Sequence, residues 1–210
     1  MPKIDLARSA LVALLSAVCL VAGILGGIDY PPDVAVIRFL ESARAASPEL
    51  TMAAIAVTHI GSVYGTVGGG IGAAGWLAWR GQRWRAAVLG ATVIGERIVV
   101  DGFKLLIDRT RPSFDLHPVM THSSSFPSGH AGNSMAVFLG VALIAVPRAH
   151  RRAAVVGALL TSLLIGATRP YLGVHWPSDV IGGWALGAAI AIIGWSIAER
   201  REINVGAIAA

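Results

Sequence analysis

The sequence predicts an all-α fold: a bundle of six transmembrane helices, with a short interfacial helix between spans one and two. Three observations predict it. Hydrophobic residues make up 55% of the 210 positions and charged ones only 14%, against about 25% charged in an average soluble domain. Apolar runs recur along the chain at the ~20-residue length that a bilayer crossing needs. Short basic or Pro/Gly-containing turns separate them, so they read as helices of one unit, and residues 1–210 are taken as a single integral membrane domain.

The net charge of +5 is accounted for by arginines flanking the spans, so it implies no nucleic-acid partner. Cys19 is the single cysteine and lies inside the first apolar run, which excludes an intrachain disulfide framework.

Span one covers about residues 9–28. Lys3 and Arg8 precede it, as in a signal peptide, but positions 10–28 hold 19 residues without a charge, long for a signal's apolar region. The Val18-Cys19 junction also lacks the small residue of a lipoprotein cleavage site, so a retained span is expected. Asp29-Tyr30-Pro31-Pro32 stops it. Residues 33–46 then carry Val34, Ile37 and Leu40 on one side and Arg38, Glu41 and Arg44 on the other, which is the spacing of a short helix lying along the interface.

Ser47-Pro48-Glu49 reads as a helix start, with a capping serine, proline at the first position and an acid in the first turn. Span two follows over about 51–79. At ~1.5 Å per residue it exceeds a ~30 Å hydrocarbon core, so it should tilt, project or break. Gly61/Gly65 and Gly68/Gly72 have the small-xxx-small spacing that lets helices approach closely. Span three, about 84–107, contains Glu96, Arg97, Asp101 and Lys104. Charges at membrane depth usually face a protein interior or a polar cavity, and Arg97 and Asp101 are spaced to pair. For Glu96, Arg97 and Asp101 a structural ion-pair network is the expected role, with the shaping of a polar cavity as the alternative. A polar loop covers 108–127, and spans four, five and six fall at about 129–146, 153–172 and 178–198.

Lys3, Arg8, Arg80, Arg83, Arg85, Arg148, Arg151, Arg152, Arg200 and Arg201 gather on one side of this layout; Arg38, Arg44, Lys104, Arg109, Arg111 and Arg169 lie on the other. The richer side should be cytoplasmic. Both termini then lie inside, and the loops after spans one, three and five face the exterior.

Three clusters occur at that external face: Lys104 with Arg111-Pro112, Pro127-Ser128-Gly129-His130, and Arg169 with His175 and Asp179. Lys104, Arg111 and Arg169 can neutralise a phosphoryl group whose charge spreads over its equatorial oxygens, and arginine adds bidentate geometry. Ser128 and the amides near Gly129 add donors at a helix start. His175 and Asp179 are spaced for a carboxylate to hold one ring nitrogen and leave the other nucleophilic. His130 can then act as general acid to the leaving group. The sequence holds no acidic cluster for magnesium and no other metal-ligand set, so no metal or cofactor is expected.

KLLIDRTRP, PSGH and TRPYLGVHWPSD resemble, in order and spacing, the three signature motifs of the type-2 phosphatidic acid phosphatase superfamily. These are membrane lipid phosphatases related in core to vanadium haloperoxidases. The resemblance implies that His175 attacks phosphorus and forms a phosphohistidine, that His130 protonates the departing group, and that Asp179 orients His175. It also implies that Lys104, Arg111, Ser128, Gly129 and Arg169 bind the phosphate. Thr168 stands where the third motif usually has serine, and keeps the hydroxyl. Arg109 is a further candidate substrate contact.

The other histidines read as structural: His59 as a buried helix–helix contact and His150 in a basic turn, while His117 and His122 lie in the site loop within reach of a headgroup. Trp76, Trp79, Trp84, Trp176 and Trp195 read as interfacial anchors. The expected function is hydrolysis of a phosphate or diphosphate on a lipid headgroup in a bacterial cytoplasmic (inner) membrane, with the site facing the periplasm or exterior. Undecaprenyl pyrophosphate is the first choice of substrate by family habit, followed by phosphatidylglycerophosphate, phosphatidic acid and lipid A phosphates. A phosphotransferase working through the same phosphohistidine and a non-catalytic anionic-lipid binder or transporter are the other two classes. Soluble haloperoxidase chemistry does not suit a chain of six spans.

Overall fold

The computed structural model describes residues 2–114, 118–119 and 123–208, with side chains described from Leu6 to Arg200 within those segments. Eight helices make up the described chain: α1 (Pro2–Leu25), α2 (Pro31–Ala46), α3 (Pro48–Ile60), α4 (Val63–Trp79), α5 (Arg83–Ile107), α6 (Gly129–Ile144), α7 (Arg151–Tyr171) and α8 (Pro177–Ile208). No strand occurs among the described residues.

Local chemistry sets most boundaries. Pro31 and Pro32 open α2 instead of merely ending α1, as a ring with fixed φ and no N–H suits a first helical turn. Ser47 caps α3 as expected, its hydroxyl accepting from Leu50 N at 3.4 Å, with Pro48 at the first position. The overlong second run breaks at Gly61-Ser62, where Ser62 caps α4 by accepting from Gly65 N at 3.2 Å. A break is thus one of the outcomes that its length leads one to expect.

The centre of the bundle is the α6–α8 pair, and glycines set how closely it packs. A Cβ on Gly187 would stand 2.4 Å from Gly132 O, and one on Gly183 would stand 2.6 Å from Ser128 O. Most of α6 is buried. Leu77, Leu89, Val93, Val137, Ile144 and Ala198 join α4, α5, α6 and α8 in one apolar cluster. Cys19, Ala22, Val100, Phe126, Ala185 and Leu186 bring α1 and α5 onto α8 in another. The outer faces are apolar too, with Ile24, Ile98, Leu105 and Leu106 largely exposed.

The glycine expectation for α4 holds in part. A Cβ on Gly68 or Gly72 would meet nothing within 4 Å, so this pair makes no close helix approach. Close approach occurs instead at Gly61, against Ile165, and at Gly70, against Val93 and Val137. The 3.6-residue period explains the split: Gly70 lies well off the Gly68/Gly72 face of its helix.

Four helical segments are long and apolar enough to cross a membrane: Leu6–Leu25, Pro48–Trp79 taken across the α3–α4 break, Arg151–Tyr171 and Pro177–Arg200. Residues Gly129–Ile144 form a shorter apolar helix, and α5 has the length but carries Glu96, Arg97, Asp101 and Lys104.

Candidate active site

The three sequence clusters converge at one end of the bundle. Lys104 comes from the last turn of α5, Arg109 and Arg111 from the segment after it, and Ser128 to His130 from the start of α6. Arg169 comes from the last turn of α7, His175 from the turn after it, and Asp179 from the first turn of α8. Burial collects side chains that water would otherwise keep apart: Lys104, Ser128, Arg169, His175 and Asp179 are each 9% exposed or less.

The His175 ring has two different neighbours. Its Nδ1 lies 3.3 Å from Asp179 Oδ2, and its Nε2 lies 3.1 Å from Arg111 Nη1. A carboxylate can only accept and a guanidinium can only donate. The network therefore assigns the ring proton to Nδ1 and the lone pair to Nε2. Burial, reinforced by the positive charges of Arg111, Arg169 and Lys104 and by His130, holds the imidazole pKa well below its usual 6.5. The ring is neutral at physiological pH, with a lone pair on the cationic side.

Asp179 is fully buried and saturated with partners. Arg109 Nη1 donates to its Oδ1 at 2.7 Å. Trp176 N donates to Oδ2 at 2.8 Å, and Ser125 Oγ makes a short hydrogen bond to the same oxygen. Ser125 also lies 3.4 Å from His175 Nδ1. The other guanidinium bonds of Arg109 go to Ser178 Oγ, Ala22 O and Gly23 O. Arg109 is thus committed to the scaffold behind Asp179, which corrects its reading as a substrate contact. Asp33 of α2 pins the start of α8 from another side, accepting from Ser178 N at 3.0 Å and Ser178 Oγ at 2.5 Å.

Lys104, Arg111 and Arg169 are held by carbonyl, hydroxyl and imidazole groups. Lys104 Nζ donates to Ser124 O at 2.6 Å, and Ser124 Oγ donates back to Lys104 O at 2.8 Å. Arg111 is anchored on the carbonyls of Ser123, Ser124 and Val174. Arg169 Nη1 donates to Thr58 Oγ1 at 2.7 Å, while its buried Nε has no partner. Ser128 Oγ is also buried and without a partner, and its backbone N–H is bound to Asp179 O at 3.0 Å. A buried hydroxyl and guanidine N–H left unsatisfied beside a cation cluster are what a site for an oxyanion requires.

His130 is half-buried at the second position of α6. Its ring lies over the α3–α4 break, where a Cβ on Gly61 would stand 3.4 Å from its Cδ2. Each candidate site residue from Lys104 to Asp179 is therefore found at this end of the bundle. Ser125, Thr58 and Arg109 are supporting partners that motif reasoning does not single out as such. Ser125 sits in a serine run that reads as loop; Thr58 is a hydroxyl inside an apolar span, a signal visible in principle.

Other expectations are corrected. Trp176 is fully buried, its Nε1 donating to Thr110 O at 2.8 Å, and is no interfacial anchor. His59 is exposed and bonds Ile55 O of its own helix at 2.6 Å. Arg97 pairs with Asp101 at 2.6 Å as spaced. Glu96 is not in that pair: it is buried against Asn133, whose amide nitrogen, turned toward it, donates to Oε2 at 2.5 Å. Thr168 Oγ1 donates to Ile165 O at 2.6 Å within α7. His117 and His122 lie outside the described residues. Among the described residues, no three His, Cys, Asp or Glu side chains gather as metal ligands.

The chain is similar to known proteins in sequence and in fold. Phosphatidylglycerophosphatase B of Bacillus subtilis (strain 168) is 37% identical over 98 residues, 44% of this chain and 47% of that protein. The chain thus spans about half the length of the curated relatives it matches first. The decaprenylphosphoryl-5-phosphoribose phosphatase of Mycobacterium tuberculosis (strain CDC 1551 / Oshkosh) is 31% identical over 189 residues, 81% of this chain and 93% of that protein. The crystal structure of a transmembrane PAP2-type phosphatidylglycerolphosphate phosphatase from Bacillus subtilis superposes with a TM-score of 0.80 at 24% identity, covering 92% of this chain and 96% of that one, a likeness of fold. The sequence profile of the PAP2 superfamily matches residues 85–203, which hold the Lys104, His130 and His175 clusters that the fold draws together. By that match and its near full-length relative, the chain belongs to the PAP2 superfamily.

Proposed function

We propose that this chain is a membrane lipid phosphatase acting through a phosphohistidine. Lys104, Arg111, Arg169, Ser128 and the Gly129 amide hold the phosphoryl group. His175 Nε2 attacks phosphorus while Asp179 keeps the proton on Nδ1 and stabilises the charge that develops on the ring. The bond to the leaving oxygen breaks, and His130 gives that oxygen a proton. His130 then takes a proton from a water, which attacks phosphorus, breaks the N–P bond and frees phosphate.

The observation that carries the reading is the divided environment of His175, a carboxylate at Nδ1 and a cation at Nε2. Arg111 Nη1, beside Nε2, is placed to bind an oxygen of the phosphoryl group that Nε2 attacks.

In this reading α5 and α6 are the two remaining spans, giving six with α2 at the interface and one domain over residues 1–210. Of the charges of α5, Glu96 and Lys104 face protein, and Arg97 and Asp101 pair with each other. The site faces the exterior of a bacterial cytoplasmic membrane, as the Lys/Arg count implies. Undecaprenyl diphosphate is the first substrate to try, then phosphatidylglycerophosphate and phosphatidic acid. Relatives named for phosphatidylglycerophosphate and undecaprenyl diphosphate support that set.

The test is a phosphate-release screen of the purified chain across these lipids, with and without EDTA, and with His175→Ala as blank. Release that survives EDTA and vanishes in His175→Ala is expected. Release persisting in His175→Ala overturns the mechanism, and loss on chelation overturns its metal independence.

A further inference from the structure

Arg97 is a fourth cation at the edge of the proposed phosphate cradle. Among the described residues its side chain makes one hydrogen bond, from Nη2 to Asp101 Oδ1 at 2.6 Å. Its Nη1 points elsewhere: it lies 3.7 Å from where a Cβ on Gly129 would stand, at the first residue of α6. The side chain is 35% exposed and that of Asp101 is 48% exposed. A pair this open contributes little to holding the helix, yet it sits on α5 beside the exposed, apolar Ile94 and Ile98.

Depth distinguishes Arg97 from the other cations. Its Cα lies about 15 Å before the Ile107 end of α5, against about 5 Å for Lys104. Arg97 therefore approaches Gly129 from the membrane side, the side from which a lipid tail reaches the cradle. In a lipid diphosphate, the terminal phosphorus is attacked and the phosphate next to the tail departs. That leaving group carries negative charge in place of a neutral alcohol. A fixed guanidinium beside it stabilises charge where it develops, while Asp101 balances Arg97 when the site is empty.

We propose that Arg97 forms a second-anion subsite for the tail-proximal phosphate, which makes lipid diphosphates the preferred substrates of this site. The inference rests on the phosphatase reading above. In the reaction His175 Nε2 bonds to the terminal phosphorus, the bridging P–O bond breaks with its electron pair going to the departing lipid monophosphate, and His130 gives that oxygen a proton while Arg97 offsets the charge left on the departing phosphate. His130 then takes a proton from a water, which attacks phosphorus and breaks the N–P bond.

Two measurements test it. In the first, kcat/KM is measured on a polyprenyl diphosphate and on the monophosphate of the same chain for wild type, Arg97→Gln and Arg97→Lys. The diphosphate-to-monophosphate ratio is expected to fall about tenfold or more in Arg97→Gln, the size of one charge-assisted hydrogen bond, and to recover in part in Arg97→Lys. An unchanged ratio overturns the subsite. In the second, binding of inorganic pyrophosphate and orthophosphate is compared in His175→Ala and in His175→Ala/Arg97→Gln. Loss of the pyrophosphate preference on removing Arg97 is expected. Equal weakening of both anions, or no pyrophosphate binding at all, overturns it. If wild type hydrolyses neither lipid, the phosphatase reading fails, and the binding comparison still decides the subsite.

Discussion

Arg109 and Asp179 form a buried ion pair at 2.7 Å, with side chains 7% and 0% exposed. The same guanidinium reaches back to Ala22 O and Gly23 O of α1. One residue therefore ties the first helix of the bundle to the carboxylate beside His175 Nδ1. Arg109→Gln leaves that carboxylate uncompensated, and breaking a buried pair from one side costs about 3–5 kcal/mol. The expected result is a lowered unfolding temperature in detergent together with a lowered kcat. A rise in KM at unchanged kcat and unchanged thermal stability would instead mean a substrate contact.

Ser125 donates to the Asp179 oxygen that faces His175 Nδ1. Ser125→Ala removes that donor and leaves Asp179 freer to turn. A hydrogen bond to a charged group is worth about 1.5–3 kcal/mol, so kcat on any accepted lipid phosphate should fall about 10- to 100-fold with KM nearly unchanged. Ser125→Thr keeps the hydroxyl and should restore part of the loss. An equal loss in both variants would point to packing in place of orientation.

The contrast between Arg109 and Arg111 marks how far the sequence could be read. Residue type and spacing were enough to bring Lys104, Arg111, Ser128, His130, Arg169, His175 and Asp179 to one end, because the motifs sit at helix ends and all those ends lie at one face. The inward, scaffold-bound position of Arg109 was not legible. Arg109 and Arg111 are two residues apart in one loop, and only the α1 carbonyls decide that the first turns inward. The helices were legible from apolar run length and from proline or serine starts. The break after Ile60 was one of three ways to absorb an overlong run, and only the packing of Gly61 against Ile165 and His130 selects it. Trp176 follows the anchor pattern in sequence, but it is buried because its turn is folded under the Arg111 segment.

The low pKa of His175 fixes the sign of a pH effect. In the proposed mechanism the imidazole must be neutral to attack, so the acid limb of kcat/KM, which reports the free enzyme, should lie well below pH 6.5. Arg111 is the first of the neighbouring charges that disfavour the imidazolium, second only to burial. Arg111→Gln removes that repulsion, which raises the pKa and moves the acid limb to higher pH. Burial remains, so the limb should stay below 6.5. A pH–rate profile of kcat/KM for both proteins decides it, and an acid limb that stays put or moves to lower pH contradicts the assignment of His175 as the titrating nucleophile.

The α6–α8 contact predicts a contrast between two glycines. A Cβ on Gly187 would stand 2.4 Å from Gly132 O and 3.0 Å from Ala136 N, which are backbone atoms that cannot rotate away. Gly187→Ala must therefore push α8 off α6, and Ser128 and His130 sit at the start of α6 while α8 carries Asp179. Overpacking of this kind costs about 1–3 kcal/mol, so both thermal stability and phosphate release should fall. A Cβ on Gly72 of α4 meets nothing within 4 Å. Gly72→Ala should leave the fold intact or raise its stability by up to about 1 kcal/mol, the helix-propensity difference between the two residues. Unfolding temperatures of the two variants in one detergent make the comparison. Equal destabilisation by both would mean that close α6–α8 packing does not hold the two halves of the site together.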